Sequence, residues 1–219
     1  DLLEAAGVNI ALTPEQIARC IREIGVGFLF AQAHHSAMRY AGPIRQELRV
    51  RTIFNLLGPL TNPAGAERQL IGVFAPEWQQ PMAEVAKLLG STHVMVVHAN
   101  GLDELSIAGT SNIVELKDGE IQQYTIEPED FGITTQPVAG LQADSPVSSL
   151  ELVRHSLSGD DATGAADIVA LNAGAAIYVA GIADTLANGV AMAEDSIASG
   201  LAAEKLAELT RVSRLMETV

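Results

Sequence analysis

Short apolar runs alternate with helical segments along the first half of the chain, and this alternation constrains the fold more than any other feature. The runs are continuous rather than alternating in polarity, which is typical of strands buried on both faces of a sheet. They span residues 26–31, 69–74 and 93–98, and a helix is predicted between the last two, over residues 77–89. A strand, a crossover helix and a second strand predict a parallel sheet and therefore an α/β fold.

Local signals extend this prediction at both ends of the sheet. Asp118-Gly119 lies between strand-like segments 112–116 and 121–126, and Asp-Gly between such segments is typical of a tight hairpin. The mostly parallel sheet is therefore expected to carry an antiparallel hairpin edge. Thr13-Pro14 predicts the start of a helix that ends at Gly25. The last part of the chain is predicted to be helical over residues 149–158, 165–181, 184–199 and 201–215.

Composition supports a sheet surrounded by closely packed helices. The chain has 219 residues, of which 48% are hydrophobic and only 4% aromatic. The core must therefore consist mainly of Ala, Val, Ile and Leu, and intrinsic disorder is excluded. Cys20 is the one cysteine, so no internal disulfide can form and a cytoplasmic location is expected.

The net charge of −14 restricts the possible partners. A surface of this charge repels nucleic acid and anionic membranes, so neither is expected as a partner. No apolar run approaches the roughly 18 residues that a membrane span requires.

A cluster of basic residues stands out in this acidic chain. Four arginines follow His34 and His35 within a short stretch: Arg39, Arg45, Arg49 and Arg51. The planar donors of arginine suit carboxylate or phosphate, so the cluster indicates an anion site. The alternative, that these are surface arginines paired with the many acidic residues, is equally compatible with composition.

A second candidate site is the acidic pair Asp103-Glu104, which follows the predicted strand 93–98. Adjacent carboxylates at the carboxyl end of a strand suit Mg²⁺, and the pair could hold two separate ions because neighbouring side chains diverge in extended backbone. The alternative is a solvated acidic loop. His93 and His98, five residues apart on the strand, are expected to face opposite sides and to be structural.

Three segments resemble those of anthranilate phosphoribosyltransferase. They are FLFAQAHHSAMRYAGPIRQEL (28–48), RTIFNLLGPLTNPA (51–64) and GLDELS (101–106). The similarity runs from DLLEAAGVNI at residue 1 through LNAGAAIYVAG (171–181) to the end of the chain. This family transfers the phosphoribosyl group of phosphoribosyl pyrophosphate (PRPP) to anthranilate, giving phosphoribosylanthranilate and pyrophosphate in tryptophan biosynthesis. The resemblance also implies a fold similar to nucleoside phosphorylases, with a small helical domain and a large α/β domain, in a homodimer.

The resemblance implies roles for particular residues. Arg45 matches the arginine that meets the anthranilate carboxylate, and His35 matches a histidine beside the anthranilate path. Met38 and Arg51 are grouped with them as substrate-binding residues, Arg51 from its place in the basic cluster. Asp103 and Glu104 match the family's magnesium ligands, so Mg²⁺ is the expected cofactor.

Two family segments, GTGGDG and KHGNR, are absent from this sequence. Residues 1–219 are therefore expected to form a truncated large domain, in which segment 34–60 would normally help to complete the small helical domain. Such a fragment is expected to be inactive by itself. The competing interpretations are a pyrimidine nucleoside phosphorylase-like enzyme and a non-catalytic paralogue that binds nucleic acid.

Overall fold

The computed structural model describes residues 1–34, 54–159 and 163–216. The helices are α1 (Leu2–Ala5), α2 (Pro14–Ile24), α3 (Ala31–His34), α4 (Phe54–Leu60), α5 (Gln79–Leu88), α6 (Pro146–Ser158), α7 (Ala165–Val179), α8 (Leu186–Ala198) and α9 (Leu201–Leu215). The strands are β1 (Arg68–Gly72), β2 (His93–His98), β3 (Ser111–Lys117) and β4 (Glu120–Ile126). Short 3₁₀ turns cover Pro76–Trp78, Pro128–Phe131 and Val138–Leu141.

The four strands form one sheet in the order β1-β2-β3-β4. β1 runs parallel to β2, with Ile71 opposite Val96, and α5 makes the crossover between these strands. β2 pairs antiparallel with β3, and β3 pairs antiparallel with β4. The α/β class, the crossover unit and the antiparallel hairpin edge are therefore confirmed.

The sheet is less parallel than the sequence predicted. Among the described strands, only β1 and β2 pair in parallel, so the sheet is mixed. The cause lies in residues 99–110, which connect β2 to β3 without a helix. A parallel pairing requires a long crossover connection, usually a helix, whereas a short connection returns the chain antiparallel.

The strand predicted over residues 26–31 is wrong. Residues 26–30 have no regular secondary structure, and α3 begins at Ala31. Val26 and Leu29 pack instead against buried side chains of α2 and α9. An apolar run predicts burial, but burial against helices and burial in a sheet give the same pattern.

The two faces of the sheet bury different helices. Val94 and Val96 of β2 point to the face covered by α5, where Met82 and Ala83 are buried. Alternate β2 residues point to the opposite face, which α7 and α8 cover. That cluster includes Met95, Val97, Leu171, Ala175 and Val190.

Helices α7 and α8 approach each other at two glycines. A Cβ on Gly174 would lie 2.5 Å from the Cα of Val190, and a Cβ on Gly189 would lie 2.3 Å from the carbonyl oxygen of Gly174. Only glycine fits such a contact, so α7 is held closely on α8. Among the described residues, none of the helices combines the length and apolar character that a membrane crossing requires.

Candidate functional site

The loop that carries the acidic pair begins with a tight turn directly after β2. Asn100 and Gly101 have positive φ angles of 48° and 86°. The Ala99 N–H donates to the Leu102 oxygen at 3.1 Å, and the Leu102 N–H donates to the Ala99 oxygen at 2.8 Å. Two consecutive positive φ angles are what the hairpin turn of Asn-Gly sequences requires. The turn places Asp103 and Glu104 just beyond the carboxyl end of β2.

The last residue of β1 contacts this loop directly. A Cβ on Gly72 would lie only 1.6 Å from the backbone oxygen of Asp103. No side chain larger than hydrogen fits there unless the loop moves. Gly72 therefore lets the backbone of the acidic pair rest on the end of the neighbouring strand.

The far end of the loop is bound to helix α7. Asn172 Oδ1 accepts a hydrogen bond from the Leu105 N–H at 2.9 Å, and Asn172 Nδ2 donates to the Leu105 oxygen at 2.9 Å. The Leu105 side chain is fully buried. The residue that follows Glu104 is thus held through both its backbone groups and its side chain.

The two carboxylates themselves are left open. Both side chains are exposed, and neither has a hydrogen-bond or ion-pair partner within the described ranges. Partial burial raises the pKa of Glu104 above its usual value, and the nearby charge of Asp103 raises it further. A cation at the pair would relieve this repulsion, since the charged form of one carboxyl disfavours that of the other.

Glu104 also borders an apolar cleft of about 330 Å³. The cleft lies between the loop and helices α6 and α7. Its walls include Leu102, Leu141, Leu152, Ile168 and Val169. These apolar walls account for the partial burial of a carboxylate at the protein surface.

The donor set fits magnesium better than a transition metal. Within the part of the chain that the structure describes, no three His, Cys, Asp or Glu side chains cluster as a metal site. Mg²⁺ commonly takes only one or two protein carboxylates and completes its shell with water and substrate phosphates. Zinc, in contrast, usually needs three or four protein ligands. A pair of carboxylates such as Asp103 and Glu104 therefore fits the protein donor set that Mg²⁺ commonly takes.

The remaining predicted site residues lie outside the described residues. These are His35, Met38, Arg45 and Arg51, and with them Arg39 and Arg49 of the basic cluster. Of the predicted set, the described residues include Asp103 and Glu104, which are adjacent in sequence. Of segment 34–60, the described part beyond His34 is α4, whose Leu56 packs on the α5 face of the sheet.

The two histidines of β2 are structural, as expected. His93 is buried and its Nε2 lies 2.7 Å from Glu115 Oε1. His98 is buried and its Nδ1 donates to the Val73 oxygen at 2.8 Å. Each ring therefore has a partner inside the fold, on its own side of the sheet.

Sequence reasoning missed the two residues that hold the acidic loop, Gly72 and Asn172. A glycine at the end of an apolar strand and a single amide within the alanine-rich segment 165–181 were the available signals. Neither signal identifies the segment that the residue contacts, because both contacts join residues distant in sequence. Only the folded chain shows that the partner is the same loop.

Comparison with known proteins agrees with this geometry. The model of the "Glycosyl transferase family, a/b domain" matches residues 1–203. The anthranilate phosphoribosyltransferase of Cellvibrio japonicus is 55% identical over 99% of this chain and 64% of its own length. That of Pseudomonas aeruginosa strain LESB58 is 54% identical over 95% of this chain and 61% of its own length. The chain therefore spans a little over three fifths of these relatives.

Solved structures share the fold. The anthranilate phosphoribosyltransferase of Thermus thermophilus superposes with a TM-score of 0.88 at 45% identity, over 97% of this chain and 63% of that chain. The enzyme from Saccharomyces cerevisiae in complex with PRPP and Mg gives a TM-score of 0.86 at 24% identity, over 97% and 62% of the two chains. The latter likeness concerns the fold alone. With residues 1–203 matched by the family model and the same fold in these structures, this chain belongs to the glycosyl transferase family, as an example of its α/β domain.

Proposed function

We propose that this chain is the α/β part of an anthranilate phosphoribosyltransferase. In the reaction, the amine nitrogen of anthranilate forms a bond to C1 of the PRPP ribose. The C1–oxygen bond to pyrophosphate breaks, and the amine loses a proton. One observation carries the proposal: a chain 55% identical to an enzyme of that name presents an open carboxylate pair on a loop whose backbone is held.

Asp103 and Glu104 are proposed to hold Mg²⁺ at the end of β2. Bound there, the ion would neutralise the charge that develops on the departing pyrophosphate. The two carboxylates would supply protein oxygen ligands, and water and substrate phosphate would be needed to supply the others. Support comes from their lack of partners among the described residues and from the preference of Mg²⁺ for carboxylate oxygens.

The anthranilate side of the site is proposed for the basic cluster. Arg45 would orient the anthranilate carboxylate through its planar donors, and Arg51 would contribute positive charge beside it. His35 and Met38 would line the approach of anthranilate. Since an aromatic amine is nucleophilic when neutral, positioning by these residues supplies much of the rate.

The setting of the enzyme follows from the same proposal. Anthranilate, PRPP and pyrophosphate are its small-molecule partners, and a homodimer is the proposed assembly. The buried thiol of Cys20, which forms no disulfide, is compatible with a reducing compartment, so the cytoplasm is the proposed location. The chain by itself is expected to be inactive, because the sequence contains neither GTGGDG nor KHGNR.

The direct test is a chimera in which this chain replaces the matched segment of the Cellvibrio japonicus enzyme. Loss of anthranilate fluorescence with PRPP and Mg²⁺ measures the transfer. The chimera is expected to be active and the isolated chain inactive. A folded chimera without transferase activity would contradict the proposal. If that chimera cleaved a pyrimidine nucleoside with phosphate, the result would favour the phosphorylase alternative.

Two variants of the chimera separate the proposed roles. Asp103→Asn is expected to lower turnover and to raise the Mg²⁺ concentration needed for half-maximal rate. Arg45→Ala is expected mainly to raise the KM for anthranilate. Asp118→Asn is the matched control, because Asp118 is an exposed hairpin-turn residue with a positive φ of 52°, which asparagine tolerates equally well. An unchanged Mg²⁺ requirement in Asp103→Asn would disprove the metal role.

A further inference from the structure

We propose that Asn172 is a positioning residue that holds the Asp103–Glu104 loop in its cation-binding shape. This inference rests on the proposed metal role of the loop. It gives a role to LNAGAAIYVAG, a segment that the proposed reaction otherwise leaves without one. Asn172 is the amide residue of that segment, and it lies on α7, a different element from the β1 strand that also contacts the loop.

The oxygen and both N–H groups of the Asn172 amide have hydrogen-bond partners. Oδ1 accepts from the Leu105 N–H, while Nδ2 donates both to the Leu105 oxygen and to the Ile168 oxygen, each at 2.9 Å. An amide has two N–H donors, and both are used here. Rotating the amide by half a turn would set Oδ1 against two carbonyl oxygens. The side chain therefore has one favourable orientation.

The bond to Ile168 connects the side chain to its own helix. Ile168 lies one turn before Asn172 on α7, so the amide is anchored before it reaches the loop. The close contact of Gly174 with α8 restrains the same helix two residues further on. Asn172 thus fixes the backbone of Leu105 relative to the packed helices α7 and α8.

The loop is consequently held on both sides of the acidic pair. Gly72 contacts the backbone of Asp103 from β1, and Asn172 holds the backbone of Leu105 from α7. Glu104 lies between these two supports in the sequence. Because the carboxylates receive no partner from the described residues, their relative placement depends on backbone restraint. A preformed pair binds a cation without first ordering the loop.

The experiment measures Mn²⁺ binding to the chain by electron paramagnetic resonance, with no substrate present. Asn172→Leu removes all of the amide's hydrogen bonds and keeps the branched shape of the side chain. Asn172→Asp keeps the acceptor for the Leu105 N–H and loses both donations. Both variants are expected to weaken Mn²⁺ binding by about 10- to 100-fold, the usual effect of removing a residue that orients a metal ligand.

The aspartate variant separates geometry from charge. An added negative charge would by itself favour a cation, so weaker binding in Asn172→Asp can only come from the lost hydrogen bonds. Asn188→Asp, an exposed position on the neighbouring helix α8, is the control for the charge change and should leave the affinity unaltered. Urea denaturation of every variant shows whether it is folded at the assay temperature.

Kinetics of the chimera provide a second readout that a purely structural role would not change. Asn172→Asp is expected to raise the Mg²⁺ concentration for half-maximal rate, with the KM for anthranilate unchanged and with recovery of the rate at high Mg²⁺. A simple loss of folded protein would instead lower kcat without recovery. Failure of Mg²⁺ to restore the rate would overturn the positioning role.

The possible failures are distinguishable. If Asp103→Asn weakens Mn²⁺ binding and the folded Asn172 variants do not, the positioning role is wrong and the proposed function stands. If Asp103→Asn itself leaves binding unaltered, the metal role is wrong and the role of Asn172 falls with it. Parallel weakening in Asp103→Asn and both Asn172 variants is the result that the proposal requires.

Discussion

Two acidic regions of this molecule lie near the same strand, β2, and are treated by the fold in opposite ways. Glu115 on β3 is buried, and both its oxygens have partners: His93 Nε2 lies 2.7 Å from Oε1, and the Tyr124 hydroxyl donates to Oε2 at 2.7 Å. Asp103 and Glu104 are exposed, and their oxygens have no partner among the described residues. In their loop, contacts with β1 and α7 restrain the backbone rather than the carboxylates.

This difference teaches how a carboxylate is assigned to structure or to a ligand. A buried carboxylate must be hydrogen-bonded internally, because an unpaired charge in the interior is very unfavourable. A ligand-binding carboxylate needs open lone pairs, so its position has to be set through neighbouring backbone groups. Glu115 follows the first rule, and the acidic pair follows the second.

The two regions meet on helix α7. The ring of Tyr178 contacts His93 edge-on with centroids 4.9 Å apart, and its hydroxyl accepts a hydrogen bond from Lys117 Nζ at 3.1 Å. Tyr178 therefore joins α7 to the strands that carry the Glu115 network, which consists of Glu115 and its partners His93 and Tyr124. Asn172, nearly two turns earlier on the same helix, joins α7 to the acidic loop. Loss of the Glu115 network should thus destabilise helix α7, to which the acidic loop is bound.

The largest effect on stability is expected for Glu115→Ala. The substitution leaves the buried ring of His93 without its carboxylate and the Tyr124 hydroxyl without its acceptor. Leaving a buried hydrogen-bonding group without its partner costs about 1 to 3 kcal/mol, and here two groups lose theirs. Urea denaturation at neutral pH measures the change, with Glu120→Ala, an exposed site on the same hairpin, as control. Equal stability of the two variants would show that the network contributes nothing to folding.

A smaller effect is expected for Gly72→Ala, which tests the support of the acidic loop. The new Cβ would lie 1.6 Å from the Asp103 oxygen, so the loop must shift. Overpacking of this kind costs about 1 to 3 kcal/mol. Here the loss of stability should be accompanied by weaker Mn²⁺ binding, because the displaced segment carries the carboxylates.

The control for Gly72→Ala is Gly58→Ala. Gly58 lies inside α4 with nothing within 4 Å of a Cβ apart from its chain neighbours, so alanine before Pro59 should cost less than the overpacking at Gly72. If Gly72→Ala behaves in the same way, with Mn²⁺ affinity retained, the loop does not depend on its contact with β1.

The comparison also shows what the sequence could predict. Periodicity identified β2, the hairpin and the helices after residue 145, because local apolar patterns and turn residues determine them. It failed for residues 26–31, since the same apolar pattern suits burial against helices. It also overestimated parallel pairing, because the pairing direction of β3 depends on the connection from β2, which has no apolar periodicity of its own.

For the site, sequence identified the charged pair and not its supports. Asp103 and Glu104 are adjacent, so their proximity is a local property. The contacts of Gly72 and Asn172 with the loop depend on packing between distant segments, and the partners of Glu115 lie on two other strands. The distinction between a structural and a ligand-binding carboxylate was therefore beyond the reach of residue type alone.

Alkaline pH should weaken the Glu115 network selectively. Burial raises the pKa of Tyr124, and donation of its hydroxyl to Glu115 raises it further. A folded-state pKa above the unfolded value of about 10 stabilises the fold below about pH 10, and this contribution is lost as pH rises through the folded-state pKa. Tyr124→Phe should therefore lose stability less steeply than the unsubstituted chain as pH rises from about 9 to about 11.

Urea midpoints across this alkaline range measure the two slopes. Tyr178 and Lys117 also have raised pKa values, so the slope should decrease in Tyr124→Phe without vanishing. Parallel slopes would mean that the Tyr124 proton makes no contribution to stability there. The acidic loop contains no tyrosine, so it should contribute nothing to the dependence of stability on pH in this range.

The smallest effect on stability is expected at the ligand-binding carboxylate. Glu104→Gln removes a charge that partial burial and Asp103 both disfavour, and it breaks no hydrogen bond to the described residues. The free energy of unfolding should change by no more than about 0.5 kcal/mol, in the stabilising direction. Thermal unfolding with and without Mg²⁺ provides the measurement. Mg²⁺ should raise the Tm of the unsubstituted chain more than that of Glu104→Gln, because a ligand stabilises only the state that binds it. A destabilised Glu104→Gln with an unchanged Mg²⁺ response would class Glu104 with Glu115, as a carboxylate retained for folding rather than for a cation.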